Sequence, residues 1–188
     1  MRLAICNETF QDWPFDKAFA FARELGYTGI EIAPFTISTS AYDISAAKRV
    51  EVRRQAEEAG LEVVGLHWLL AKTTGYYLTT PDDAVRKATA DYLGELARLC
   101  RDLGGRVMVL GSPMQRNLLP GVDREEAMDY AAEVLRAAVP ALEETGVVLA
   151  VEPLGPEEGD FLRVASEAVQ LIEIIGSSQV RLHLDCKA

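Results

Sequence analysis

Glu144-Thr145-Gly146-Val147-Val148-Leu149-Ala150-Val151-Glu152 contains in one short stretch the unit from which the chain is built. A charged helical end meets a glycine, an apolar run follows, and a carboxylate closes it. Glycine tolerates the left-handed backbone that terminates a helix, so Gly146 marks the position just past a helix end. The run after it is short, rich in Val and Leu, and lacks polar alternation. That is the pattern of a strand covered on both faces, as in a parallel sheet flanked by helices.

The same unit recurs on both sides. Glu24-Leu25-Gly26 precedes Thr28 to Ile32, and Glu58-Ala59-Gly60 precedes Leu61 to His67. Asp102-Leu103-Gly104 precedes Arg106 to Leu110, and Ile174-Ile175-Gly176 precedes Val180 to Asp185. With Leu3 to Cys6, the pattern predicts six strands. Helical signals fill the intervals. One helix runs from Trp13-Pro14-Phe15 to Leu25, with Asp12 as its cap. A second covers Ser45 to Ala59, and a third opens with Thr80 as cap and ends at Leu103. Asp123 to Glu144 and Phe161 to Ile175 complete the set. No Ser/Gly linker, low-complexity tract or block of like charge divides the chain, so a single domain over residues 1–188 is expected.

Two architectures place helices between parallel strands, an open doubly wound sheet and a closed barrel. The open sheet usually carries a Gly-rich turn after its first strand. Here that turn reads Asn7-Glu8-Thr9-Phe10-Gln11-Asp12, without glycine. A barrel gathers polar residues where its strands end, because its active site forms there. Asn7, Glu8, His67, Ser112, Glu152 and Asp185 all fall at such ends. The expected class is therefore α/β, a (β/α)8 TIM barrel of which this chain supplies the first six strand–helix units. A complete barrel takes eight strands and roughly 250 residues, so the reading expects a barrel cut off after strand six.

Composition narrows the function. The 188 residues include 29 acidic and 19 basic side chains, a formal net charge of −10. Such a surface repels phosphate backbones, which argues against nucleic acid as a partner. The three cysteines, Cys6, Cys100 and Cys186, are far apart and odd in number, which fits a reducing compartment better than a disulfide framework. The N-terminal segment turns polar too early for a signal peptide, and no apolar run is long enough to span a bilayer. A cytoplasmic protein without membrane contact is expected.

Glu152 and Asp185 are the strongest chemical candidates. In adjacent barrel strands they would lie side by side at one mouth. Two carboxylates so placed repel unless a proton or cation sits between them, and a hard divalent cation suits oxygen ligands. A structural salt bridge with a barrel Arg or Lys is the open alternative. His183 lies two residues before Asp185 and should point the same way, either as an outer partner of the site or, the favoured reading, as a packed core residue. His67 could bind a substrate oxygen, relay a proton, or be structural. Glu31 reads as a carboxylate paired with a neighbouring Arg or Lys. Glu8, Glu157 and Glu158 read as solvated loop carboxylates and Cys186 as packing, while Arg116 could meet an anionic substrate group but reads first as solvated or structural. Phe10, Trp13, Trp68, Tyr76 and Tyr77 cluster on strand-end loops, where they could wall a sugar-sized pocket or pack the loops.

Val151-Glu152-Pro153-Leu154-Gly155-Pro156-Glu157-Glu158 and Leu182-His183-Leu184-Asp185 carry a family likeness, supported by Cys6-Asn7-Glu8-Thr9-Phe10 and Gly65-Leu66-His67-Trp68. The chain resembles the xylose isomerase-like TIM-barrel superfamily, in its ketose 3-epimerase and hydroxypyruvate isomerase branch. The resemblance implies a divalent-metal-dependent sugar isomerase or epimerase acting on a ketose or related hydroxy-ketone through a metal-bound enediolate. It implies Mn²⁺ as the first candidate cofactor, with Mg²⁺, Co²⁺ or Zn²⁺ as alternatives. Glu152 and Asp185 match the metal ligands of strands five and six, and Glu152 also matches the catalytic acid/base. Glu158 matches a substrate contact, and His67, Trp68, Trp13 and Glu8 complete the expected substrate-facing set. The partner implied is a small sugar, with a homodimer on the family's example. Two departures are visible: Ala188 stands where the family often has a substrate-binding His, and the His and Glu ligands of strands seven and eight are not in this sequence. An inosose dehydratase-like lyase and a non-catalytic sugar-binding domain are the alternatives. The superfamily's abasic-site endonucleases fit poorly with two histidines and a charge of −10.

Overall fold

The computed structural model describes residues 2–186. Six strands alternate with five α-helices among them: β1 (Ala4–Cys6), α1 (Phe15–Glu24), β2 (Gly29–Ile32), α2 (Ala46–Glu58), β3 (Glu62–Leu66), α3 (Asp83–Asp102), β4 (Val107–Leu110), α4 (Arg124–Thr145), β5 (Val148–Val151), α5 (Ala165–Ile175) and β6 (Val180–Leu182). Every neighbouring pair is parallel, and the sheet order is β1-β2-β3-β4-β5-β6. An order that never reverses has no topological switch point, which separates it from the doubly wound sheet and matches six of the eight strands of a β/α barrel. Ala188, the position of the first departure noted above, lies outside the described residues.

The glycines that predicted the helix ends do end them. Gly26, Gly60, Gly104, Gly146 and Gly176 all have positive φ, between 69° and 94°. The helix starts differ from expectation in three places. α1 begins at Phe15 with Pro14 at its N-cap and no side-chain cap, because the turn Asn7–Phe10 leaves Asp12 outside the helix. α3 is capped by Asp82, whose carboxylate accepts from the Ala84 and Val85 amides. Thr80 instead accepts from the Asp82 amide, two residues upstream of the cap. α5 starts at Ala165 rather than Phe161, because Phe161 and Leu162 are fully buried in the core and the Leu162 carbonyl accepts from the Leu154 amide. Ser45 and Asp123, the first residues of the expected second and fourth helical stretches, are the N-caps of α2 and α4, Asp123 in a reciprocal capping box with Glu126.

One core joins the sheet to its helices. Leu93, Leu96 and Leu99 of α3, Leu135 and Leu142 of α4, and Leu149 and Val151 of β5 are buried in it. Strands β3 and β4 approach so closely at Gly65 that a Cβ there would overlap the Val107 carbonyl. Just before this point β3 carries one residue more than β2: Ile30 pairs with Val63, but Glu31 pairs with Gly65. Such a bulge re-aims a strand end, and here it turns Glu31 toward His67.

Gly65 therefore sets how tightly β4 can dock. Gly65→Ala is expected to destabilise the fold by several kcal/mol, since the clash is with backbone that cannot yield. Urea unfolding monitored by circular dichroism measures this; a midpoint equal to the parent's would contradict the packing described.

Candidate active site

Glu152 follows β5 directly. Its neighbour across the sheet, in register, is Gly111, because Leu110 pairs with Val151. A Cβ at 111 would collide with Glu152 Oε2, so glycine makes the room in which this carboxylate lies. Glu152 is 5% exposed. It lines a cavity of about 200 Å³ with His67, Trp68, Gly111, Ser112, Pro113, Leu154, Glu158 and Asp185.

Two imidazoles flank the carboxylate. His183 Nε2 lies 3.9 Å from Glu152 Oε1. His67 Nδ1 lies 3.3 Å from Glu31 Oε2, at ion-pair distance but off the line of a hydrogen bond. Burial drives the Glu152 carboxyl pKa upward, and the hydrogen bond and charge of Asp185 add to that, while His67 and His183 oppose it. His67 moves the other way against its burial. Desolvation alone would lower its pKa, but Glu31 first, then Glu152 and Glu8, raise it overall. The site is thus a row of alternating carboxyl and imidazole groups, Glu31–His67–Glu152–His183, with Asp185 beside Glu152.

A second cavity of about 750 Å³ adjoins the first and shares Trp68 with it. Glu8, Asp12, Trp13, Phe15, Phe35 and Lys72 are among its other lining residues. The substrate-facing residues read from the sequence therefore divide. His67, Trp68 and Glu158 join Glu152 and Asp185 at the inner cavity, whereas Glu8, Trp13 and again Trp68 face the outer one. Tyr76 and Tyr77 pack the loops: Tyr76 stacks on Tyr92 with ring centroids 4.3 Å apart, and the Tyr77 hydroxyl donates to the Asn117 carbonyl.

Several single-residue readings change. The charged partner of Glu31 is His67, not an Arg or Lys. His183 is half-buried beside Glu152 rather than packed in the core, because β6 ends at Leu182 and leaves it just past the strand. Asp185 lies three residues beyond β6, exposed on its outer side, and its side chain reaches Glu152. Cys186 is exposed, not packed. Arg116 is 1% exposed and so is not solvated. The structural reading of Arg116 is the one compatible with this burial, which Ser112-Pro113-Met114-Gln115-Arg116-Asn117, as a polar loop, does not reveal. Gly111 was legible in principle, as the residue after β4 at the height of Glu152.

A cation fits this donor set in chemistry but not in number. Two carboxylates in contact require a shared proton or a shared positive charge, and oxygen donors suit a hard divalent ion. Among the described residues, however, no group of three or more His, Cys, Asp or Glu side chains is placed to hold a metal. Glu152 and Asp185 would form part of such a site, not the whole.

A sequentially ordered parallel sheet with charged side chains converging at its C-terminal strand ends defines a β/α-barrel protein with its site at the barrel mouth. A family model described as xylose isomerase-like TIM barrel matches residues 19–187, and the chain belongs to that family. The chain is 30% identical over 112 residues to the L-ribulose 3-epimerase of Mesorhizobium japonicum, a match covering 57% of this chain and 36% of the relative. It is 23% identical to the fructoselysine 3-epimerase of Escherichia coli O157:H7 over 90% of this chain and 60% of the relative. The matches thus span 36% and 60% of the length of these two relatives, less than two thirds of either. Among solved structures, a D-psicose 3-epimerase determined in the presence of D-fructose superposes with a TM-score of 0.82 at 18% identity, over 97% of this chain and 62% of the other. An AP endonuclease, family 2, from Brucella melitensis gives 0.75 at 22% identity, over 99% and 69%. These likenesses establish the shared fold. No helix among the described residues is long and apolar enough to cross a membrane.

The Glu31–His67 pair has a defined pH signature. A raised folded-state pKa means that this pair's contribution to stability is present below the ordinary histidine pKa of about 6.5 and is lost as pH rises through the folded value. Glu31→Gln should lower the His67 pKa, read by NMR titration of its ring protons. The variant should also lose more thermal stability near pH 6 than at pH 9.

Proposed function

We propose that the full-length protein is a sugar epimerase or isomerase that moves a proton on the carbon beside the carbonyl of a ketose or related hydroxy-ketone. The observation that carries this reading is Glu152: a nearly buried carboxylate with an upward-shifted pKa, facing a small cavity at a strand end. Carboxylates tuned upward are effective bases near neutral pH. The named activities of the L-ribulose and fructoselysine 3-epimerase relatives support the same chemistry.

In this reading Glu152 takes the proton from the carbon next to the carbonyl. The C–H electron pair forms the new C=C bond, and the carbonyl π pair moves onto oxygen. His67, whose pKa Glu31 raises, lies on the wall of the same cavity, where its protonated ring would stabilise that developing oxygen charge. Glu158 holds substrate hydroxyls, and Trp68 shields the cavity from water. A proton returned to the opposite face of the same carbon inverts the centre; one returned to the neighbouring carbon isomerises the sugar. A divalent cation, Mn²⁺ first among the candidates, supplies positive charge to the substrate oxygens when Glu152 and Asp185 hold it.

Glu152→Gln should abolish exchange of the substrate's α-hydrogen with deuterated solvent while leaving the circular dichroism spectrum unchanged. Exchange at the parent rate would exclude Glu152 as the base. For the cation, Mn²⁺ should raise the melting temperature of the parent protein, and Asp185→Asn should reduce that shift. An equal shift in both proteins would remove Asp185 from the ligand set.

A further inference from the structure

The outer cavity at the mouth is larger than the reaction above requires. The inner cavity holds about 200 Å³ and the outer about 750 Å³, and the two share Trp68. Ligand pockets usually run to about 300–1,000 Å³, so the outer one is large enough to be a site by itself. A free six-carbon ketose seated against Glu152 is too small to extend across both.

The walls of the outer cavity are built on strained backbone. Among the described residues, five other than glycine have positive φ, and three of them line this cavity: Gln11 at 48°, Trp68 at 57° and Lys72 at 60°. Glycine would adopt such a backbone without strain. At all three positions the chain carries instead a residue that lines the cavity, and strain of this kind gathers where ligands are held.

The rings are fixed in advance. Trp13 packs against Phe10 and Phe21, with ring centroids 6.0 and 5.6 Å apart, yet stays 49% exposed. Trp68, 42% exposed, lies 5.9 Å from the His67 ring. A half-open indole on a firm mount presents an apolar face, and the C–H face of a pyranose ring is its complement. The Glu8 and Asp12 carboxylates and the Gln11 amide are polar groups of the kind that bind sugar hydroxyls. Two carboxylates against the one ammonium of Lys72 leave the lining negative, which opposes a phosphate group. That ammonium is itself engaged, 4.3 Å from the Phe35 ring centroid.

We propose that the outer cavity binds a second, uncharged sugar ring stacked on Trp13 and Trp68, so that the substrate is a glycosylated ketose rather than a free or phosphorylated one. Trp68 stands at the junction, where the link between the two sugars passes. That the ketose end reacts at Glu152 rests on the proposed function; binding of the outer ring does not.

Isothermal titration calorimetry of the full-length protein tests this with four probes. They are D-fructose, D-fructose 6-phosphate, fructoselysine and isomaltulose, a fructose with a glucosyl group on its terminal hydroxyl. Isomaltulose should bind about tenfold tighter than D-fructose, the gain expected of one stacked ring. D-fructose 6-phosphate should bind no tighter than D-fructose. Trp13→Ala should abolish most of the isomaltulose preference, as for loss of an aromatic anchor. Should Trp13→Ala fail to fold, Gln11→Gly decides. It removes a side chain from the cavity and relieves a strained backbone, so it should melt at or above the parent temperature. It should still lower the isomaltulose preference about threefold, the loss of one hydrogen bond to the outer ring. Equal binding of isomaltulose and D-fructose, or a preference untouched by both variants, would overturn the proposal. So would tighter binding of fructoselysine or D-fructose 6-phosphate than of isomaltulose. Binding needs no turnover, so the two readings separate. An isomaltulose preference with no α-hydrogen exchange on any ketose keeps the outer site and discards the reaction. Exchange on D-fructose with no such preference keeps the reaction and overturns the outer site.

Discussion

The burial of one carboxylate organises this site. Glu152 lies almost out of water with Asp185 in contact, and burial and that second carboxylate both oppose its ionisation. A core position of this kind would ordinarily be apolar. The rest of the local structure reads as compensation: His67 and His183 bring opposing charge, Gly111 clears volume, and Arg116 lies buried nearby. Arg116 feels the same medium. Burial pushes its pKa down to about 10, against the pull of Glu152 and Glu158, which still leaves it protonated at neutral pH.

The barrel supplies the geometry for this compensation. Parallel strands in sequential order deliver their ends to one face at similar heights, so residues distant in sequence meet there. The bulge in β3 and the close approach at Gly65 refine that placement. Without the extra residue in β3, Glu31 and His67 would not be aimed at each other, and His67 would lack the partner that raises its pKa. The electrostatics of the mouth thus depends on backbone details in the strands below it.

Much of the fold was legible because its signals are local. A glycine after a helical run and an unbroken Val/Leu segment each have one ready structural meaning, and their repetition identifies the sheet. Helix starts were less legible. Ser and Thr upstream of a helix compete with Asp as caps, and at Thr80 the carboxylate two residues later is the cap. Of the site, Glu152 and His67 could be read from their place at strand ends. Arg116 could not: burial of a loop arginine depends on the packing of two other loops around it. Nor could the pairing of Glu31 with His67, which requires a bulge that leaves no mark in the sequence.

The two adjoining cavities suggest how chemistry and recognition are divided. The inner one is small and bears the perturbed groups, Glu152 and His67, and it is the cavity on which the proposed proton transfer rests. The outer one is larger and carries Trp13, Phe15 and Phe35, with Lys72 Nζ 4.3 Å above the Phe35 ring centroid. Aromatic faces and an amphipathic cation bind by shape and stacking rather than by proton transfer. Trp68 belongs to both cavities, and its loop is held by the loop after β4, where Ser112 Oγ accepts from the Leu70 amide. Changes in the outer wall can therefore alter what is bound without disturbing the charges around Glu152, whereas changes at Ser112 would reach both cavities through Trp68.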